Sequence, residues 1–125
     1  SDLSPAVDAP DLLVAMNQPS LEKFLPTVVK GGTVLFEGSV PLRPAAPPGV
    51  TLRPFPAMRI AEESGTPKAA NTAFLGAMVE LGLLGMPEAD VLAALDASFS
   101  EKPALVERNR KVYEAAKAWV RNGRG

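Results

Sequence analysis

Three short stretches of this sequence bring together side chains that could bind a ligand or move a proton. Asn17 and Gln18 end an apolar run in "DLLVAMNQPS", just before residues that can open a helix. Glu37, Gly38 and Ser39 follow a second apolar run, "TVLF". Asn71 lies near the start of a long helical stretch. Ligands of open α/β sheets gather beyond the carboxyl ends of the strands, where loops and helix N-termini converge. On that ground Asn17, Gln18 and Ser39 are candidate binding residues at two strand ends. Asn71 is a candidate for an anionic or carbonyl group at a helix start. Each has a plainer reading. Asn is a strong helix cap, so one of the two amides caps the helix beginning near Pro19 while the other faces a ligand or partner. Asn71 read as a cap or turn residue needs no ligand. Glu37 is the one carboxylate at a predicted strand end, hence the one acid–base candidate, but a lone Glu is ordinarily solvated, and no catalytic residue is assigned. Asn109 interrupts an apolar helix stripe and reads as a buried amide satisfied by backbone.

The absences restrict the chemistry further. The 125 residues contain no histidine and no cysteine, so Ser–His–Asp triads, Cys–His nucleophiles, thiolate-held iron–sulfur clusters and cysteine-ligated zinc each lack a necessary part. Thirteen basic and 14 acidic residues leave a net charge of -1, which supplies no field for nucleic acid or an anionic membrane. No apolar run is long enough to span a bilayer and no signal-peptide pattern opens the chain, so the expected location is the cytoplasm. With 46% apolar residues the chain can bury one core.

The elements that must position these residues can be read from periodicity. Leu12 to Met16 is apolar without alternation, the pattern of a strand covered on both faces, which favours a parallel sheet. Pro19 and Ser20 open a helix with Leu21, Phe24, Leu25 and Val28 on one face, and Pro26 ends or kinks it. Gly31-Gly32 turns the chain into a second strand, Thr33 to Phe36. Pro41, Pro44, Pro47, Pro48 and Gly49 make residues 38–50 a stiff surface loop. A third short strand near residues 50–55 is restricted by Pro54 and Pro56. A short helix, Ala57 to Ser64, precedes a largely buried one from Lys68 to Leu84, closed by Gly85. Two more follow, one from Pro87 with Val91, Leu92, Leu95 and Phe99 inward, one to about Val120 with Leu105, Val112, Ala116 and Trp119 as its stripe. Glu107 with Lys111 and Arg110 with Glu114 are four-residue charge pairs on its wet side. The fold class is α/β, a three-layer Rossmann-like domain with a small, mostly parallel sheet and a helical C-terminal half. Residues 1–10 are expected to be extended, 11–120 to form the domain and 121–125 to fray.

The succession "PDLLVAMNQPSLEKFLP", "GGTVLFEGSV", "RIAEESGTPKAANTAFLGAMVELGLL" and "FSEKPALVERNRKVYEAA" resembles the gamma subunit, or the equivalent domain, of the 2-oxoacid:ferredoxin oxidoreductases. That family includes the pyruvate, 2-oxoisovalerate and 2-oxoglutarate enzymes. The match runs from Pro10 to about Ala118, with A-x-N-x-x-x-L-G at Ala69 to Gly76 and a K-P-x-L-x-E-x-N segment from Lys102 as its most family-like parts. Two departures stand out. The glycine-rich G-x-G-G-Q-G turn and the strand before it are missing. Glu37 and Gly38 stand where the family commonly has Asp or Asn followed by serine.

The resemblance implies a subunit of a hetero-oligomer that oxidatively decarboxylates a 2-oxoacid to an acyl-CoA. Thiamine diphosphate with magnesium and the iron–sulfur clusters would lie mainly on partner subunits, electrons would leave to ferredoxin, and coenzyme A would take the acyl group. No metal site is expected on this chain. Asn17, Gln18, Ser39 and Asn71 are the residues expected near a cofactor, and Arg43, Arg53, Arg59 and Lys68 could form a basic rim for coenzyme A phosphates, although scattered surface charges are the plainer account. Two rival readings are a non-catalytic interaction domain of the same fold and a stand-alone nucleotide-binding α/β protein. The missing phosphate loop counts against the latter. Because the first strand looks interior yet lacks a second neighbour, a βα segment bearing the glycine-rich turn is expected to precede Ser1.

Overall fold

The computed structural model describes residues 11–123. The segment expected to be extended over residues 1–10 lies outside them, as do the last two residues. The chain divides into two compact units, Ser1–Phe55 and Pro56–Gly125.

The first unit is a parallel sheet of three strands in the order β1 (Leu12–Ala15), β2 (Thr33–Glu37), β3 (Thr51–Phe55). Leu12 lies opposite Thr33 and Ala15 opposite Phe36, while Thr33 to Glu37 face Thr51 to Phe55. Among the described residues the strand with two neighbours is β2. Among the same residues β1 has β2 as its neighbour, and its Leu12, Leu13 and Val14 are half-buried. In β3 the Thr51 N–H donates to the Gly32 carbonyl at 2.9 Å, so by alternation the nitrogen of Pro54 points away from β2. A missing N–H on that outer side costs the ladder nothing, which is why β3 pairs over its whole length despite Pro54.

Helix α1 (Gln18–Phe24) joins β1 to β2 and tightens into a 3-10 turn at Leu25–Thr27, where Pro26 removes a backbone donor. Leu21, Leu25 and Val28 pack with Ala15 and Val34 as the core of this unit. Phe24, expected on the same face, is 43% exposed, with the Lys23 ammonium 5.2 Å from its ring centre. The buried face of this segment is instead made by Leu21, Leu25 and Val28.

The second unit is helical: α2 (Ala57–Glu63), α3 (Ala70–Glu80), α4 (Glu88–Ser98) and α5 (Pro103–Arg121). As expected, α3 is buried on most sides, through Ala70, Thr72, Ala73, Phe74, Gly76 and Ala77. It ends earlier than Gly85. Gly82 takes φ +71, and the N–H groups of Gly82 and Leu83 return to the carbonyls of Val79 and Met78 at 3.0 and 2.9 Å, closing the helix in a glycine-dependent turn. At Gly76 a Cβ would lie 2.5 Å from the Tyr113 carbonyl oxygen and 3.0 Å from Ala116 Cβ, so α3 and α5 approach at a distance only glycine permits.

Buried polar groups lock this packing. The Thr72 hydroxyl donates to Asn109 Oδ1 at 2.7 Å, and Asn109 Nδ2 donates to the Leu105 carbonyl at 2.9 Å, the backbone-satisfied amide expected there. Arg110 does not pair with Glu114. Its guanidinium forks onto Asp96 of α4 with two hydrogen bonds of 2.8 Å. Tyr113 and Lys117 both donate to Glu88 at the start of α4. In the tail expected to fray, Arg121 is the last residue of α5 and reaches Glu80 at 3.2 Å.

Candidate functional site

Parallel pairing with Ala15 opposite Phe36 sends the chain out of β1 and β2 at the same edge of the sheet. Asn17 and Gln18 follow the first strand there and Ser39 the second, so the topology brings three of the four candidates to the end where ligands of such sheets gather. Asn71 belongs to the helical unit.

Each side chain also has a local role. Asn17 is extended, with φ -152 and ψ 167, and its Oδ1 accepts the Ser20 N–H at 2.9 Å. This is the cap of α1. Gln18 faces the loop of its own chain: Oε1 accepts the Arg43 N–H at 2.8 Å, while Nε2 donates to the Arg43 carbonyl at 3.3 Å and to Glu22 Oε2 at 3.1 Å. Ser39 is exposed, and its N–H donates to Glu37 Oε2 at 3.0 Å.

Glu37 departs most from expectation. It is 0% exposed rather than solvated, a buried carboxylate closing the central strand. A short turn back to its own carboxylate orients the Ser39 backbone, and buried carboxylates need such donors. No signal local to "TVLFEGS" distinguishes this Glu from an exposed one.

Asn71 is exposed in the first turn of α3. The N-cap of that helix is Ala69, which offers no side-chain cap, so the first-turn donors of α3 have no side-chain acceptor from the cap position. The helix continues directly from a 3-10 turn at Pro67–Ala69, and with Ala69, Ala70 and Thr72 buried the group exposed there is the Asn71 amide, which can meet a phosphate or carbonyl oxygen. Among the described residues no three His, Cys, Asp or Glu side chains come together to hold a metal ion.

The electrostatically tuned groups lie elsewhere, on α4 and α5. The Lys117 ammonium, followed by the Tyr113 hydroxyl, holds the Glu88 carboxyl below the ordinary range, and Arg110 does the same to Asp96. Burial, followed by Glu88, pushes the Tyr113 hydroxyl well above its usual value. These groups stabilise helix packing. Tyr113 was detectable in the sequence, since Asn109, Tyr113 and Ala116 share one helical face.

Residues 1–119 match the family model for pyruvate ferredoxin/flavodoxin oxidoreductase. The chain belongs to this family. It is 41% identical over 120 residues to the ketoisovalerate oxidoreductase subunit VorA of Methanothermobacter thermautotrophicus, covering 94% of this chain and 24% of that protein. It is 34% identical over 119 residues to the 2-oxoglutarate synthase subunit KorC of Methanocaldococcus jannaschii, covering 90% of this chain and 62% of that one. The chain thus spans about a quarter of the VorA relatives it matches. Among solved structures, the gamma subunit of a keto/oxoacid ferredoxin oxidoreductase from Geobacter sulfurreducens superposes with TM-score 0.66 at 30% identity, over 86% of this chain and 62% of that one. The 2-oxoglutarate:ferredoxin oxidoreductase of Magnetococcus marinus, solved with 2-oxoglutarate, coenzyme A and succinyl-CoA bound, shares the fold with TM-score 0.78 over 92% of this chain and 20% of that one, at 23% identity. Among the described residues no helix is long and apolar enough to cross a membrane.

Proposed function

We propose that this chain is the gamma-type portion of a 2-oxoacid:ferredoxin oxidoreductase, working in a hetero-oligomer that converts a 2-oxoacid to its acyl-CoA. The observation that carries this is the 41% identity with a ketoisovalerate oxidoreductase subunit over 94% of the chain. It also favours a branched 2-oxoacid as the substrate class. Thiamine diphosphate with its magnesium ion and the iron–sulfur clusters belong to partner subunits. A chain without a single cysteine offers clusters no thiolate.

Coenzyme A fits this chain better than either of those groups. Asn71 at the start of α3 would hold an anionic or carbonyl group of coenzyme A, using its amide. Ser39 follows β2 on a turn whose backbone N–H is held by Glu37, and Asn17 and Gln18 shape the same end of the sheet. What this chain would add to catalysis is placement of the acyl acceptor, and thiamine diphosphate held by a partner subunit would supply the chemistry of carbon–carbon cleavage.

The reading is tested by tagging the chain in its own cells and identifying what is recovered with it. Polypeptides bearing thiamine diphosphate and iron–sulfur clusters are expected in fixed ratio. Recovery of the chain alone would reject the assignment.

A further inference from the structure

We propose that Gln18 is a latch that holds the loop between β2 and β3 against the start of α1, and that its release frees this loop while the sheet stays folded. Residues 38–50 carry four prolines, which have no N–H to donate, so this strap is poorly equipped to pair as a strand. Its burial nevertheless alternates as that of an extended segment does. Leu42, Pro44 and Ala46 are half-buried while Pro41, Arg43 and Ala45 are exposed, an alternation of period two. Leu42 and Ala46 rest on the core of the first unit.

The ends of the strap are held by backbone. Gly38 N–H donates to the Phe55 carbonyl and Gly31 N–H to the Gly49 carbonyl, both at 2.9 Å. At mid-strap the partner is the side-chain amide of Gln18, which accepts from Arg43 N–H and donates to Arg43 C=O. One amide therefore meets both polar groups of a single residue, as a neighbouring strand would. A primary amide is suited to this, since it offers a donor and an acceptor side by side. The latch joins the turn after β1 to the loop after β2, and Gln18 and Arg43 also border an open groove lined by Leu21, Leu25, Pro26 and Ala45. Its state therefore sets the shape of that groove. This inference rests on the Gln18–Arg43 geometry and is independent of the function proposed above.

Amide hydrogen exchange of the 125-residue chain, resolved by residue with NMR, tests it. In Gln18→Met the side-chain length is kept and both hydrogen bonds to Arg43 are lost, together with the one to Glu22. Exchange at Arg43 N–H is expected to accelerate about tenfold, with Val34 and Leu35 in β2 unchanged. Gln18→Glu made in a Glu22→Gln background, which avoids two facing carboxylates, keeps an acceptor for Arg43 N–H and loses the donor, so an intermediate acceleration relative to Glu22→Gln alone is expected. Unchanged protection at Arg43 would show that the apolar contacts of Leu42 and Ala46 hold the strap unaided. Parallel loss of protection across the sheet, or a variant that fails to fold, would make Gln18 a residue of general stability. Either result overturns the latch.

Discussion

Asn17, Gln18 and Glu37 show how polar residues at one end of a sheet are taken up by structural roles: a helix cap, a tie to a loop and a buried turn. Asn17 satisfies a first-turn donor of α1, and replacing it with alanine is expected to cost about 1 kcal/mol. Urea unfolding followed by circular dichroism checks this through a lowered midpoint at constant slope. Asn109 is more heavily committed, since its removal also strands the buried Thr72 hydroxyl. Asn109→Ala should therefore cost about 1–3 kcal/mol, more than Asn17→Ala in the same experiment. Asn71 makes the contrasting case, being exposed in a helix start that its own side chain does not cap. In the assembled complex Asn71→Ala is expected to lower coenzyme A-dependent turnover, while the unfolding free energy of the chain stays within about 0.5 kcal/mol of the parent. That one of the two amides caps α1 was legible, because Asn and Gln just ahead of a Pro-Ser helix start form a local pattern; that the cap is Asn17, and that Gln18 turns to its own chain, was not. The burial of Glu37 was not, because nothing within three residues of it determines what covers a strand end.

At the scale of elements, the apolar runs and prolines located the strands and the first helix, since strand length and helical period are local properties. The junctions between helices were less legible. Gly82 and Gly85 are equally plausible stops in sequence, and only the positive φ at Gly82 selects it. The partner of Arg110 proved to be Asp96, 14 residues away on another helix, a pairing that no four-residue rule can reveal. Gly76 marks the closest approach of α3 and α5. Gly76→Ala gains about 0.8–1.0 kcal/mol of helix propensity but drives a methyl into the Tyr113 carbonyl, so a net loss of about 1 kcal/mol or more is expected in urea unfolding. The charged links from α4 to α5 also carry a pH dependence. Glu88 and Asp96 have carboxyl pKa values below their ordinary ones, so they favour the folded state above the ordinary carboxylate range, and that contribution is lost as pH falls through their lowered folded values. Thermal unfolding of the chain should therefore fall in midpoint from neutral pH to about pH 3, and the Glu88→Gln and Asp96→Asn variants should show a shallower fall.

At the scale of the whole molecule, a chain with neither cysteine nor histidine belongs to the pyruvate ferredoxin/flavodoxin oxidoreductase family, and the match over residues 1–119 rather than any single motif places it there. The proposed division of labour is that other subunits hold the reacting groups while this chain shapes the approach of the acyl acceptor. The most direct measurement is 2-oxoacid oxidation with an artificial electron acceptor in the presence of coenzyme A, comparing the isolated chain, the partner subunits without it, and the reassembled complex, with 2-oxoisovalerate as the first substrate. The account expects no turnover by the isolated chain, weak or absent coenzyme A-dependent turnover by the partners alone, and recovery on reassembly. Turnover by the isolated chain at the level of the complex, or partners fully active without it, would contradict the account.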